Sequence, residues 1–374
     1  MTSWVARSNG ALDLRGHDLE AEGFDLVVTP TVPGTPLFLF GAGAALWRSV
    51  AESTAHDDDL DPDERLLVQE FVDAGIAAEG AGRDAAERPV ERPWLSSVFH
   101  ELVYALVARV AAEHEIDVMF IKGPTLHAQG LREREHSGDV DCLVLPGEDL
   151  ALARAMEEWG WRSVVTPLTG TGVSHSLTLS APAWGCAIDV HTRFPGIALD
   201  PAAAFDLLRR RGEDRRFAGT TVRTPSRADH AVISALHSVR PYLGTPPGEA
   251  LIQAAADSLQ AGGDDVVDRI VELRAGYALG EALRRAFPAA QLPPEGAVAP
   301  FDWEWRSTPQ GPRRHLKALG LVPWRLRMRT FVRLVWPSAD AAGAPEPGGT
   351  ATARRGRMRR IIDAVADLVD RRRR

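Results

Sequence analysis

Apolar positions recur along this chain at two different periods, and the switches between them mark its elements. FDLVVTP (24–30) and PLFLF (36–40) are short runs of strand-forming residues split by a Pro/Gly turn, which predicts two strands. From Gly41 to Glu52 the period becomes helical, with Leu46, Trp47 and Val50 on one side. A second helix is predicted over 62–74, with Leu66, Leu67, Phe71 and Val72 facing inward. Pro62 suits its first turn and Gly75 stops it. Strands followed by two short helices predict a small winged-helix-like unit over residues 1–80. Residues 81–93, charged and rich in Pro and Gly, read as a linker.

Beyond the linker the pattern is that of an α/β unit over 94–245. Trp94 to His114 carries a helical stripe of Leu95, Val98, Phe99, Leu102, Leu106 and Val110. IDVMFI (116–121) predicts a strand, Lys122-Gly123 the turn after it, and Pro124 the start of a short helix. Asp139 to Leu145 predicts a further strand, and residues 148–159 a helix ending before Gly160. WRSVVT (161–166), SLTLS (176–180) and GCAIDVHT (185–192) add strands, giving an α+β fold class. Residues 246–374 read as mostly helical, with a loop at 338–353. A last amphipathic helix there places Met358, Ile361, Ile362, Val365 and Leu368 on one face.

Composition narrows the classes of function. The chain has 374 residues, 45% hydrophobic and 25% charged, which suits a soluble protein of two or three structural units. A formal net charge of −8 argues against a general nucleic-acid binder, although nine arginines crowd the segment from Arg354 onward. The two cysteines, Cys142 and Cys186, lie in apolar runs and read as buried reduced thiols. There is no basic start followed by an apolar stretch, and no apolar run of about eighteen residues. Neither a secretory signal nor a membrane span is expected, and the expected location is the cytoplasm.

The sharpest chemical feature is GDVDCLVL (138–145). Alternation along a strand points Asp139 and Asp141 to one face and Val140, Cys142 and Val144 to the other. Like charges side by side repel unless a cation lies between them, and Mg²⁺ takes carboxylate oxygens together with substrate phosphates. Asp189 sits inside another apolar strand, where an unpaired charge is costly. If that strand lies beside the first, three carboxylates converge and can hold metal for phosphoryl transfer. The alternative for Asp189 is an ion pair with Arg193, and for the aspartate pair an ordinary solvent-facing edge. His191 shares the face of Asp189; it could act near an acceptor, orient a carboxylate or fill a polar rim. His175 and His237 are weaker candidates. At 121–125, IKGPT leads a strand through Lys122-Gly123 into a helix start, an arrangement suited to a phosphate, with a surface lysine as the alternative.

FIKGPTLHAQGLREREHSGDVDCLV resembles the signature of the uncharacterised nucleotidyltransferase family of bacterial proteins, within the DNA polymerase beta-like superfamily. Similar too are Trp159-Gly160-Trp161, Asp189 two before His191, Pro225-Ser226 leading to a helix with His237, and Trp336-Pro337-Ser338 before a basic terminal helix. The resemblance covers roughly residues 94–374. It implies a polymerase beta-like nucleotidyltransferase core with Asp139, Asp141 and Asp189 as metal-binding and catalytic carboxylates. It further implies nucleotide contacts from Lys122, Gly123, Gly138 and Arg134, with His191 as an accessory residue. The family's arginine four residues before the first aspartate is Glu135 here, with Arg132 and Arg134 nearby. Residues 1–80 resemble PqqD-like peptide-recognition domains through the strands up to Phe40, the helix at 43–47 and Phe71–Ile76.

The expectation is a Mg²⁺-dependent enzyme, with Mn²⁺ as the alternative ion. It would move a nucleoside monophosphate from a nucleoside triphosphate to an acceptor, in one version a ribosomally made precursor peptide held by its leader. Two other readings stand beside it. One is a catalytically inactive nucleotidyltransferase-fold protein that docks a peptide, favoured by Glu135. The other is a nucleic-acid-directed transferase using the terminal arginines, disfavoured by the net charge.

Overall fold

Short apolar runs between turn residues give the start of the chain its strands. The computed structural model describes residues 2–80, 90–135, 137–242, 244–289, 298–309 and 311–335. It places six strands before residue 80: β1 (Ser3–Ala6), β2 (Gly10–Asp13), β3 (Leu26–Thr29), β4 (Leu37–Leu39), β5 (Ala55–His56) and β6 (Ala77–Glu79). They form two antiparallel sheets, β5-β1-β6 and β2-β3-β4. Helix α1 (Gly41–Glu52) buries Leu46, Trp47 and Val50, and Trp47 Nε1 donates to the Ile76 carbonyl at 2.9 Å. Helix α2 (Pro62–Asp73) opens on a capping box in which Asp61 and Glu64 satisfy each other's backbone N–H groups. Its inward stripe differs from expectation. Leu66 is 67% exposed, while Val68 is fully buried with Phe71. Leu66 and Val68, two positions apart, point nearly opposite ways, about 200° around a helix. Only Val68 meets the core of Leu26, Val28 and Trp47.

Residues 81–89 of the expected linker lie outside the described residues. Its end is pinned: Glu91 bridges Leu12 in parallel, and the Asp13 N–H donates to the Glu91 carbonyl at 2.8 Å. The helix expected from Trp94 begins four residues later, as α3 (Val98–Glu113). The Trp94 and Leu95 N–H groups are taken by the Glu101 carboxylate, at 3.1 and 3.3 Å, so these residues stay outside the helix. Helix α3 is buried nearly all round rather than along one stripe: Val103, Tyr104, Ala105 and Val107 are as enclosed as Leu102 and Leu106. A helix apolar on every side belongs in a core. On one side it meets Leu12, Leu14 and Val27 of the N-terminal strands, where Gly10 allows close approach to Ala105. On the other it packs under a mixed sheet.

That sheet has the order β7-β8-β11-β10-β9, from β7 (Val118–Phe120), β8 (Asp139–Val144), β9 (Arg162–Ser163), β10 (Ser176–Ser180) and β11 (Ala187–His191). Strands β8 and β11 are parallel; the other pairs are antiparallel. Their link runs through α5 (Asp149–Glu157), β9 and β10; the short helix α4 (Gly123–Ala128) precedes β8. Val140, Cys142, Val144, Ile188 and Val190 face the core of α3. Both cysteines are free thiols, Cys142 buried and Cys186 only partly so.

A hairpin of β12 (Glu213–Phe217) and β13 (Thr220–Thr224) was not expected, because the charged EDRR run hides its alternation. Ala218 and Gly219 both take positive φ, 46° and 79°, as a two-residue hairpin turn requires. The turn joins three elements: the Ala218 carbonyl accepts from Ala11, and its N–H donates to Glu101 Oε1 at 3.3 Å. A second core lies on the opposite face of the sheet. Ile121, Leu126 and Leu143 meet α6 (Pro201–Arg211), α7 (Arg227–Val239), α8 (Glu249–Ala261), α9 (Val266–Glu272) and α10 (Gly276–Ala286) there. Helices α11 (Trp303–Arg306), α12 (Pro312–Leu321) and α13 (Trp324–Val335) follow. The expected loop at 338–353 and the last basic helix lie outside the described residues. Among the described residues no helix is long and apolar enough to cross a membrane.

Glu101 is fully buried and accepts the backbone N–H groups of Trp94, Leu95 and Ala218. Burial nonetheless pushes its carboxyl up to about 7 from 4.5. A raised folded-state value means that the stability it contributes is fully present below about pH 4.5 and is lost as pH rises through about 7. Chemical denaturation at pH 5 and pH 8 should therefore show Glu101→Gln with a flatter decline in unfolding free energy than the native chain. An equal decline in both would refute this role.

Candidate functional site

The register of two strands builds the site. Asp141 pairs with Asp189 across β8 and β11, with Asp139 opposite Ala187 and Leu143 opposite His191. Period two then puts Asp139, Asp141, Asp189 and His191 on the face away from α3. Asp141 and His191 are buried, 2% and 1% exposed; Asp139 and Asp189 are half-buried. Donor atoms of Asp141, Asp189 and His191 all lie within 4.8 Å of one another. Asp139 stands outside that group, its Oδ1 accepting from Ser137 Oγ at 3.0 Å.

Each carboxylate has a distinct environment. Burial works to raise the Asp141 carboxyl, but the His191 hydrogen bond at 2.8 Å and the Lys122 ammonium at 2.5 Å outweigh it and hold it at about 2. Asp139 is raised, by burial first and then by the Asp141 charge. Asp189 Oδ1 accepts from Thr178 Oγ1 at 2.6 Å, across the β10 pairing. Its alternative partner is engaged elsewhere: Arg193 pairs with Asp302 at 2.7 Å. Positive charge reaches the pair from two sides: the Lys122 ammonium meets Asp141, and the Arg240 charge interacts with both Asp141 and Asp189.

A cleft of about 450 Å³ opens beside this face. Lys122, Gly123, Arg132, Arg134, Gly138, Asp139 and Asp141 line one wall; Ser234, His237, Ser238 and Ser258 of α7 and α8 line the other. The structure therefore brings Lys122, Gly123, Gly138 and Arg134 to one cavity with two of the aspartates. Glu135 is turned away, its carboxylate accepting the Ser96 N–H at 2.7 Å. His175 lies behind His191, the ring centroids 5.4 Å apart, with Arg240 and Arg306 on its two nitrogens. The sequence reading did not single out Ser137, Thr178 or the serine wall, because a serine or threonine in a strand or helix carries no distinguishing period. It also missed His230, a fully buried histidine of α7 that reaches the Lys122 backbone.

Donor chemistry fits a divalent ion. Two carboxylates and an imidazole within a few ångströms are ligands for such an ion, and Asp141 already gathers positive partners there.

No family model and no curated protein matches the chain. Among solved structures it is similar to the antibiotic-resistance factor ANT(2'')-Ia at 15% identity, over 48% of this chain and 89% of that one, with a TM-score of 0.32. A tRNA nucleotidyltransferase complexed with a primer tRNA and an ATP analogue is similar at 12% identity, over 69% and 92%, with a TM-score of 0.22. A tRNA-processing enzyme is similar at 13% identity, over 67% and 76%, with a TM-score of 0.21.

Gly123 shows how tightly the turn is built. Its φ is +56°, and an added Cβ would stand 2.7 Å from the Tyr104 hydroxyl, which has no hydrogen-bond partner among the described residues. Gly123→Ala should lower stability by roughly 1–3 kcal/mol through strain and contact. Adding Tyr104→Phe, which removes that oxygen, should restore part of the loss in thermal melts. A double variant less stable than Gly123→Ala alone would contradict the geometry.

Proposed function

We propose that the chain is a metal-dependent nucleotidyltransferase that moves a nucleoside monophosphate from a nucleoside triphosphate, ATP or GTP, to an acceptor. The observation that carries this reading is the side-by-side pairing of Asp141 with Asp189 on parallel strands, with His191 and Lys122 on Asp141, at a cleft edged by basic residues. Asp141 and Asp189 would hold a divalent ion, with Asp139 beside them, and the ion would supply charge neutralisation at the reacting phosphate. Mg²⁺ or Mn²⁺ suits a mainly carboxylate set.

The protein's own groups do the rest. Lys122, Arg132 and Arg134 neutralise the triphosphate along one wall. On the other wall Ser238 and Ser258 donate to the Ser234 and Ala231 carbonyls, so their hydroxyl oxygens are left to accept from the nucleoside. Asp189, with Oδ1 fixed by Thr178, leaves Oδ2 to accept the acceptor hydroxyl's proton. The acceptor oxygen then bonds to the α-phosphorus as the bond to pyrophosphate breaks. His191 holds Asp141 in its orientation.

The acceptor in this proposal is a ribosomally made peptide bound by residues 1–80. What supports it is the edge strand β4: it pairs only with β3 among the described residues, leaving an open side for an added strand. A binding protein without catalysis is the competing reading. It drew on Glu135 in place of an arginine, yet Glu135 faces Ser96 while Arg132 and Arg134 line the cleft.

Incubation with α-labelled ATP or GTP and candidate peptides tests the reading. Label transfer should fall by at least about 100-fold in Asp141→Asn and in Asp189→Asn, as removal of charge stabilisation implies. Undiminished transfer in both variants would sink it.

A further inference from the structure

Lys122 is held in a backbone conformation that lysine ordinarily avoids. Its φ is 60° and its ψ −153°, a region populated almost only by glycine and costing roughly 1–3 kcal/mol for other residues. Such strain persists only where neighbours fix it. Both peptide groups of Lys122 are fixed: its carbonyl accepts from Thr125 Oγ1 at 2.5 Å, and its N–H donates to His230 Nε2 at 2.6 Å.

The state of His230 follows from its partners. It is fully buried on α7, and burial pushes its pKa down to about 3, so the ring is neutral and carries one proton. Nε2 is accepting from Lys122, so that proton sits on Nδ1 and donates to Gln129 Oε1 at 2.6 Å. The Gln129 amide in turn donates to the Pro225 carbonyl at 2.9 Å. The same amide also donates to Glu213 Oε2 at 3.3 Å, and the chain of bonds ties the turn before α4 to β12 and to the start of α7. It also means that the Lys122 N–H is spent on His230, leaving the ammonium as this residue's contact for a phosphate.

We propose that His230 is a positioning residue for Lys122: by gripping the strained peptide it aims the ammonium at Asp141 and the cleft, where it meets the nucleotide's phosphates. This rests on the nucleotide-binding reading above. It assigns to a buried residue, 108 positions away in sequence, the task of keeping Lys122 in place.

The test is a double-mutant cycle read by calorimetry with ATP and Mg²⁺, with thermal melts on every variant. Lys122→Ala should weaken ATP binding by about tenfold or more, the scale of a lost charge-assisted contact. His230→Leu should weaken it by a similar factor. The double variant should bind within about twofold of Lys122→Ala alone, because the two residues act as one unit. His230→Gln, which keeps an oxygen to accept the Lys122 N–H, should recover most of the affinity. ATP binding by His230→Leu equal to the native chain, or a double variant weakened by the product of the single effects, would overturn the proposal.

A second readout needs no variant. Long-range ¹H–¹⁵N spectra of the native protein should show the His230 proton on Nδ1 from pH 5 to 9; a proton on Nε2 overturns the proposal. If the native chain binds no nucleotide, the function reading fails, while this spectrum still decides the grip on Lys122.

Discussion

Two carboxylates directly opposite each other on neighbouring parallel strands are the constraint around which this fold is arranged. Asp141 and Asp189 face the same way because β8 and β11 pair in register, and nothing in a sheet relieves such a pair except positive charge or hydrogen-bond donors. The protein supplies both. Lys122 and His191 converge on Asp141, and Thr178 holds Asp189. The helix beneath, α3, makes the arrangement rigid by filling the other face with apolar side chains.

Strain at Lys122 belongs to the same design. The turn after β7 must deliver an ammonium to Asp141 and a glycine to the floor under Ser137 while passing over Tyr104. It does so in an unfavourable backbone conformation that tertiary hydrogen bonds sustain. Rigid support of a charged group costs stability locally and gains preorganisation, because under the proposed function the group need not be repositioned to meet a phosphate. Helices α7 and α8 contribute the second wall of the cleft and, through His230, the hold on the first.

Much of this was legible in the sequence where periodicity speaks. The strands carrying Asp139, Asp141 and Asp189 stand out by alternation, and helix α1 by its stripe. What alternation cannot give is register: that Asp189 meets Asp141 rather than Asp139 is decided by the crossover through α5, β9 and β10. The hairpin at 213–224 stayed hidden because four consecutive charged residues, Glu213 to Arg216, put charge on both faces of its first strand. The start of α3 was misplaced because a side chain, Glu101, takes N–H groups that local signals would give to a helix. Most remote from sequence reasoning was His230, whose meaning lies wholly in contacts to Lys122 and Gln129. The glutamate at 135 looked like a lost arginine in the site; in space it faces Ser96, and its neighbours at 132 and 134 reach the cleft.

The central claim is that the paired aspartates hold one divalent ion together with a nucleotide. Electron paramagnetic resonance of Mn²⁺ titrated into the protein with a non-hydrolysable ATP analogue tests it most directly. The native chain should quench the free-ion signal at a defined stoichiometry, and Asp141→Asn and Asp189→Asn should leave it largely intact. Equal Mn²⁺ uptake by the native chain and both variants would contradict it.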